Sequence, residues 1–381
     1  MKMLKNILKS TAIWMAATVS FTACEVDTTT VMFEEDHDFS QPGDTVFSVL
    51  GILDKVQDVV EKGVLLGELR GDLVKPVPLA GASNAWVDLA RFENLEDATF
   101  NRYRDYYAIV NNCNFYLERA DAEMERRGQK VFLKEYAAVS AYRAWAYLQL
   151  ALLYGEIPFY TQPLLSYSEI EQVMNDPSRR KGLGEICSYF IDDLLPYVDV
   201  PFPNYGNFTY DQNSSVNSSD FFLPIRLLRG DLYLWRGSLD GNKSDFAKAA
   251  QEYRDYLLSE ERFVNPEIKV AYRTVDLDDA QIVDRWNSVF VGGNTMERIS
   301  LVPFAGNSQY GKLGSLRQSF RYFMGSDALQ KLVDESYYCY VMYTEESESD
   351  ESEYMSRFTG LAKDTLYYGT KENPQYYSYI T

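Results

Sequence analysis

Two long stretches in the first half of the chain carry apolar residues at steps of three and four, which is the spacing of one helix face. The first covers residues 100–117 and the second covers residues 131–154. Gly128 interrupts the pattern between them, and Gly155 with Pro158 ends the second stretch. Because the interruption is short, we predict that these two helices form an antiparallel pair.

A second helix pair is predicted nearer the middle of the chain. Residues 221–237 are strongly apolar, residues 242–258 repeat apolar side chains with a helical period, and the segment 237–241 separates the two. A pair of this kind is typical of tetratricopeptide repeats, in which neither helix can bury its apolar face alone and neighbouring pairs must stack. A further helix over residues 183–198, limited at its end by Pro196, is predicted between the two pairs.

The other segments are predicted to be less regular, with one exception. Residues 45–63 have the pattern of an amphipathic helix. Residues 65–84 contain three glycines and two prolines and are interpreted as loop or short strand, and residues 201–220 are interpreted as a surface loop. We therefore predict a mostly helical protein of tetratricopeptide-type helix pairs, with irregular loops and few short strands.

The N-terminus has the pattern of a bacterial lipoprotein signal. Three lysines precede an apolar run too short to span a bilayer, and Phe21-Thr22-Ala23-Cys24 places two small residues directly before a cysteine. We predict that residues 1–23 are a cleaved signal peptide, that Cys24 is acylated, and that residues 24–43 form a flexible tether to a body comprising residues 44–381. The alternative is an ordinary signal peptide or an apolar start to the fold.

Composition argues against several classes of function. The net charge of −19 over 381 residues repels phosphate backbones, so nucleic acid is not expected as a partner. The single histidine, His37, argues against histidine-based triads and His-rich metal sites, and the cysteine spacings match no metal signature. The segment around Asp276 lacks the glycine and distal glutamate of an EF-hand and is interpreted as a solvated turn. Motifs for nucleotide binding, zinc proteases and activated serines are missing from the sequence, so we expect no catalytic residues, no cofactor and no metal.

One helix and the turn after it resemble a known family. Residues 137–150 combine small and aromatic side chains, and Tyr154-Gly155-Glu156-Ile157-Pro158 follows shortly after them. This combination resembles the signature helix and turn of SusD/RagB lipoproteins. Residues 67–72 resemble the family's early loop, residues 103–114 resemble the helix before the signature, and residues 226–258 resemble its later helix pair.

The resemblance implies both a function and a location. SusD-like proteins are non-catalytic outer-membrane lipoproteins that capture oligosaccharides, or in some cases peptides, and deliver them to a SusC-like TonB-dependent barrel transporter. By resemblance we expect a surface-exposed protein held on the outer membrane through acylated Cys24, with such a barrel and a nutrient as its partners. The resemblance extends to about Asp334, and the family's usual late helix and ending are not found. We therefore expect the C-terminal portion to be incomplete or divergent.

The first candidate for ligand binding is Trp86, which is predicted to lie in a loop. Sugar rings stack their C–H faces on aromatic rings, and their hydroxyls pair with amides and carboxylates such as those of Asn84 and Asp88. The region also resembles the part of SusD-like proteins that contributes to the ligand surface. The alternative is that Trp86 covers the edge of the first helix pair. Trp145 and Trp235 lie within helical patterns and are predicted to belong to the core.

Two further groups combine aromatic and polar side chains. Trp286 stands beside Asn287, which makes this pair the second candidate for ligand binding. The third candidate is a cluster in the predicted surface loop, consisting of Tyr205, Asn207, Phe208 and Tyr210. Packing or a solvated turn is the alternative for each group.

Three alternatives to an oligosaccharide-binding protein stay open. The same fold and partner could serve a peptide or another nutrient. A lipid-anchored glycoside hydrolase is also compatible with the composition, because 56 acidic residues allow a catalytic carboxyl pair, although the sequence gives no distance between carboxylates. The third alternative is a structural surface lipoprotein without a ligand.

Overall fold

A computed structural model describes residues 39, 43–71, 74–76, 84–93, 102–211, 214–260, 299–305, 308–309, 311–314, 323–325, 363–370 and 373–380. These residues are mostly helical, as predicted. Eight α-helices are described: α1 Asp44–Arg70, α2 Asn84–Ala90, α3 Tyr103–Arg119, α4 Leu133–Tyr154, α5 Tyr167–Asn175, α6 Leu183–Asp193, α7 Ile225–Asp240 and α8 Lys243–Ser259. None of the described helices is long and apolar enough to cross a membrane.

The strands of the described segments are short and pair only two at a time, always antiparallel. The longest pair has Asn373 opposite Thr370 at the turn and Ile380 opposite Lys363 at the open end. Few short strands were predicted, and this is confirmed. The strands are β1 Val74–Pro76, β2 Glu125–Arg126, β3 Gln129–Lys130, β4 Ile157–Pro158, β5 Arg180–Lys181, β6 Asn207–Asp211, β7 Ser214–Asn217, β8 Phe323–Gly325, β9 Lys363–Thr370 and β10 Asn373–Ile380.

Helix α4 is the centre of the molecule, and α1, α3, α6 and α7 all pack against it. Its sequence explains this position, because most of its residues are alanine or aromatic or aliphatic side chains, and most of these are buried and the others half-buried. A helix that is apolar on every side can be stable only when neighbours surround it. The small alanines allow those neighbours to approach closely.

The pair α3–α4 is antiparallel, as predicted. The ring of Tyr103, at the start of α3, lies 6.1 Å from the ring of Tyr154 at the end of α4. Farther along α3, Asn114 Oδ1 accepts a hydrogen bond of 3.2 Å from Arg143 Nη1 of α4. The connection contains the β2–β3 hairpin, whose two turn residues, Arg127 and Gly128, have φ of 53° and 75°. Positive φ at both central residues defines a type I′ turn.

A buried arginine links three elements of this core. Arg143 is 7% exposed and donates to Asn114 of α3 and, at 3.1 Å, to Asp193 Oδ2 of α6. The amide nitrogen of Asn114 points to the carbonyl oxygens of Tyr160 and Gln162, at 3.4 and 3.3 Å. The turn after α4, which begins at Gly155 with φ 78°, is therefore held against α3. Burial of this charge is tolerated because its partners are in place.

The pair α7–α8 is antiparallel as well. Arg229 Nε donates to Glu252 at 2.8 Å, whereas Arg236, two turns later on α7, pairs with Asp245 near the start of α8. Helix α7 also packs on α6, and α6 on α4, so the helices stack in the order α3, α4, α6, α7, α8. Stacked antiparallel pairs are the arrangement that tetratricopeptide-type sequences predict.

Several boundaries and one core residue differ from the predictions. Residues 65–70 continue α1 instead of forming a loop, because Leu65, Leu66 and Leu69 find buried positions on one helix face. The predicted surface loop over residues 201–220 contains the β6–β7 hairpin, and α5 was not predicted. Trp145 is half-buried against the core, but Trp235 is 42% exposed, so its predicted core position is wrong.

Candidate functional site

The structure places the predicted binding residues at two distant ends of α4. Trp86 packs near Leu153, whereas the hydroxyl of Tyr205 lies 3.4 Å from Glu135 Oε1. At 1.5 Å per residue, positions 135 and 153 of the helix are about 27 Å apart along its axis. Trp286 and Asn287 lie outside the described residues, as do the side chains of Asn84 and Tyr210.

Trp86 lies on helix α2, where the sequence had indicated a loop. Its ring packs on a small apolar cluster formed by Leu66 and Leu69 of α1 and Leu89 of α2. The side chain is half-buried, and Asp88 on the same helix is half-buried too. The indole therefore covers the edge of α1 and at the same time leaves part of its surface accessible. A ring held in this way by its inner face is preorganised for stacking.

Arg70 and two tyrosines surround the same end of the helix layer. Arg70 ends α1, and its Nη1 donates to the carbonyl oxygen of Leu153 at 3.2 Å. Tyr103 is 53% exposed, and its ring meets that of Tyr154 edge to face at an interplanar angle of 74°. We call the set Arg70, Trp86, Tyr103 and Tyr154 the aromatic edge.

The hydroxyl of Tyr154 is buried and makes no hydrogen bond within the described residues. Burial raises the pKa of Tyr154 to about 12, with the positive charge of Arg70 opposing the shift and the negative charge of Asp105 adding to it. The group is therefore protonated at neutral pH and can donate a hydrogen bond. A buried hydroxyl without a protein partner is unusual and often marks a place for water or a ligand.

Charged side chains border the aromatic edge where α3 begins. Lys62 Nζ of α1 lies 2.8 Å from Asp105 Oδ2, and Arg102 Nε and Arg104 Nε lie 3.6 and 3.7 Å from the same carboxyl group. Asp105 also stands in the first turn of α3, where a negative charge is favourable. The border of the edge therefore carries three cations around one carboxylate and offers charged donors to a polar ligand.

One exposed aromatic residue of this region was missed by the sequence reasoning. Phe92 follows the last turn of α2, is 62% exposed, and has φ 58°. No sequence pattern indicates this conformation, because a bulky residue rarely adopts a positive φ. Only the backbone geometry distinguishes Phe92 from an ordinary surface phenylalanine.

The Tyr205 end is built differently. The hydroxyl of Tyr205 points to Glu135, its backbone N–H donates to Ser218 Oγ at 2.6 Å, and its ring lies 6.3 Å from that of Phe222. Burial raises the pKa of the Glu135 carboxyl. Tyr205 is thus half-buried with its polar tip already in contact with the protein. Fewer of its groups are open to a ligand than at the aromatic edge.

Phe208 of the predicted third cluster lines a narrow groove of about 200 Å³ between α1, β6 and residues 301–305 and 311–312. Gln57 donates to the carbonyl oxygen of Pro303, and Lys312 pairs with Asp58, so polar contacts hold the two walls together. Ligand pockets usually enclose about 300 Å³ or more. The groove is therefore better explained as a gap between two packed segments than as a site for an oligosaccharide.

Within the described part of the chain, no group of three or more histidine, cysteine or acidic side chains could hold a metal ion. The chemistry of the aromatic edge is that of binding: two tyrosines and a tryptophan for ring faces, and an arginine and a hydroxyl for polar groups.

Comparisons with known proteins show the fold. No family profile matches the sequence, and no curated protein matches it. A SusD superfamily protein from Bacteroides thetaiotaomicron has a TM-score of 0.53 at 12% identity, over 77% of this chain and 62% of its own. NanU from B. fragilis has a TM-score of 0.42 at 15% identity, over 60% of this chain and 44% of its own. A SusD superfamily protein from Parabacteroides distasonis has a TM-score of 0.41 at 21% identity, over 56% and 45%.

The described chain therefore has the fold of SusD-like proteins, and the predicted fold class is confirmed. The match covers about two fifths to three fifths of the length of these solved structures, at 44%, 62% and 45%.

Proposed function

We propose that this protein is a non-catalytic member of the SusD/RagB family that binds an oligosaccharide and delivers it to a TonB-dependent barrel in the outer membrane. The SusD-like fold supports the class of protein. The observation that carries the proposal is the aromatic edge, in which Trp86 is held by its inner face on α1 beside Arg70 and the tyrosines.

The chemistry of the edge suits a sugar. The accessible part of the Trp86 ring and the exposed ring of Tyr103 can stack on the C–H faces of pyranose rings. The Tyr154 hydroxyl is buried and has no partner among the described residues, so it would donate to a ligand hydroxyl only after a small rearrangement of the side chains that cover it. Arg70 supplies a planar donor group. A few polar groups around aromatic surfaces are what a site needs to fix orientation.

The proposed location follows from the N-terminal sequence. Acylation of Cys24 after removal of residues 1–23 would hold the body on the outer membrane through residues 24–43. Phe39 is buried on the core against the rings of Tyr116 and Phe132, so the tether would be shorter than predicted and would consist of the residues before Phe39. It would let the body reach a neighbouring SusC-like barrel. The barrel partner and the lipid anchor rest on the resemblance and on this signal.

The proposal is tested with the full chain on an array of plant, bacterial and host oligosaccharides, followed by calorimetric titration of the hexasaccharides that bind. Trp86→Ala should weaken binding about tenfold or more, which corresponds to about 1.4 kcal/mol. Trp235→Ala is the matched control, because Trp235 is partly exposed on α7, a helix that does not contribute to the edge. It should leave the affinity unchanged.

Other outcomes would assign a different function. Equal affinities for the wild type and Trp86→Ala would remove the aromatic edge from the binding surface. Binding of peptide mixtures with no oligosaccharide bound would favour the peptide-binding alternative. Release of reducing sugar by the purified protein would favour a hydrolase.

A further inference from the structure

Helix α2 ends in a Schellman motif. The N–H of Glu93 donates to the carbonyl oxygen of Asp88 at 2.8 Å, and the N–H of Phe92 donates to that of Leu89 at 3.1 Å. These are the two hydrogen bonds that define the motif, and they place Phe92 at its left-handed position. The φ of 58° agrees with that assignment.

The left-handed position of this motif is normally a glycine, because any Cβ there meets the following carbonyl group. Among the described helices, α7 also ends with a left-handed residue, and that residue is a glycine, Gly241, with φ 70°. Phenylalanine is bulky, which makes φ 58° at Phe92 an outlier. The backbone of α2 would therefore end more favourably with another residue.

Packing does not compensate for this conformation, since the Phe92 side chain is 62% exposed. The other non-glycine residue with positive φ in the described chain is Arg127, a charged side chain in the tight β2–β3 turn. An exposed aromatic ring gains no stabilisation from solvent that would offset the cost of a positive φ. Strain that the fold does not require is a reason to look for a function.

Phe92 also stands close to Trp86 along the chain. The four helical steps from position 86 to position 90 rise about 6 Å, and two further residues add at most about 7 Å. The two Cα atoms are therefore no more than about 13 Å apart, which one oligosaccharide can span.

We propose that Phe92 contacts the ligand directly and extends the aromatic edge with a second stacking surface on α2. The inference rests on the proposed oligosaccharide-binding function. Phenylalanine at this position is unfavourable for the fold but would be favourable for ligand binding. Replacing Phe92 is therefore expected to raise the stability of the protein and to lower its affinity for the ligand.

The test uses the full chain with maltohexaose, cellohexaose, xylohexaose and any other hexasaccharide that the array selects. Phe92→Gly should raise the thermal unfolding midpoint by about 1–2 °C and weaken binding about threefold to tenfold. Phe92→Asn tolerates the left-handed backbone without an aromatic ring and should also lose affinity, whereas Phe92→Tyr should retain it. Arg127→Gly is the matched backbone control and should raise the midpoint with unchanged affinity.

Each result has one interpretation. Loss of stability in Phe92→Gly would mean that the ring supports the fold, and unchanged affinity would mean that it does not touch the ligand; either result overturns the inference. If Trp86→Ala weakens binding and Phe92→Gly does not, only the inference fails. If no hexasaccharide binds the wild type, the proposed function fails and the inference fails with it.

Discussion

Two buried tyrosines of α4 show how differently the same side chain can be used. The hydroxyl of Tyr147 donates to the carbonyl oxygen of Tyr160 at 2.5 Å and accepts from its N–H at 3.0 Å. Its ring also stacks on Phe190 at 5.5 Å between centroids. The hydroxyl of Tyr154, two turns later, has no hydrogen bond within the described residues. The hydroxyl of Tyr147 thus fixes the turn after α4, whereas the hydroxyl of Tyr154 is a hydrogen-bond donor without an acceptor among the described residues.

Replacing each of these tyrosines by phenylalanine should therefore have different effects on stability. Tyr147→Phe leaves the buried N–H of Tyr160 without its partner and its carbonyl oxygen with only the longer contact to Asn114, so it should lower the free energy of unfolding by about 1–3 kcal/mol. Tyr154→Phe removes a hydroxyl that has no protein partner here and should change it by less than about 0.5 kcal/mol. Urea unfolding followed by circular dichroism measures both.

The same two variants also distinguish an effect on stability from an effect on ligand binding. Tyr154→Phe should weaken the binding of a hexasaccharide if its hydroxyl donates to the ligand, although the protein stays as stable as the wild type. A large loss of stability in Tyr154→Phe would instead show that the hydroxyl has a structural partner.

At the scale of elements, two glycines allow α7 and α8 to approach each other. Gly230 and Gly237 are seven residues apart, which places them on one face of α7. A Cβ on Gly230 would lie within 3.0 Å of three ring atoms of Tyr253, and one on Gly237 would lie 3.1 Å from atoms of both Asp245 and Phe246. The close contact explains why glycine is present inside the helix, where its own propensity is poor.

Gly230→Ala should lower the free energy of unfolding by about 1–3 kcal/mol, because the ring of Tyr253 must move and the helix pair must separate slightly. Gly51→Ala is the matched control. Gly51 also lies within a helix, α1, but a Cβ there meets nothing within 4 Å, so this change should raise the free energy of unfolding by about 0.5–1 kcal/mol. Equal effects of the two changes in urea unfolding would contradict this account of the α7–α8 contact.

The same glycines explain which helix ends could be predicted from the sequence. Gly155 was interpreted as a helix-ending residue and Gly241 as the end of a break between two helices, and both have positive φ after a helix. Gly237 was interpreted as part of a break, but it lies inside α7, because a neighbouring helix needs the space. Gly67 likewise lies inside α1. Local sequence does not distinguish a glycine that ends a helix from a glycine that allows a neighbouring helix to approach closely.

At the scale of the whole molecule, the candidate site was only partly predictable. Trp86 could be singled out because amide and acid side chains flank it in the sequence. Its association with Arg70 and Tyr154 could not, because these residues come from three different helices that meet only after α1, α2 and α4 have packed. The distance between Trp86 and Tyr205 could not be predicted either, because it depends on which end of α4 each residue packs against.

The response of the whole protein to pH should depend on carboxyl groups of two kinds. The bidentate hydrogen bonds from Arg236 to Asp245, at 2.7 and 2.8 Å, lower the pKa of that carboxyl. Burial, by contrast, raises the pKa of Glu135. A lowered pKa in the folded state stabilises the protein above the unfolded value of about 3.9 and is lost as the pH falls below it. A raised pKa stabilises it below about 4.3 and is lost as the pH rises.

Asp245→Asn and Glu135→Gln should therefore change the pH dependence of stability in opposite directions. At pH 7, Asp245→Asn should cost up to about 3 kcal/mol, because Asp245 is buried and Arg236 is left without its partner. That cost should shrink as the pH falls below 4, because the carboxyl of the unfolded wild type is then protonated, whereas the folded protein, with its lowered pKa, takes up this proton only at lower pH. Glu135→Gln should gain stability relative to the wild type as the pH rises from 4 to 7, because the wild type must then ionise a buried group. Urea unfolding at pH 3, 4, 5.5 and 7 measures both differences. A curve parallel to that of the wild type would show that the replaced carboxyl has no shifted pKa in the folded protein.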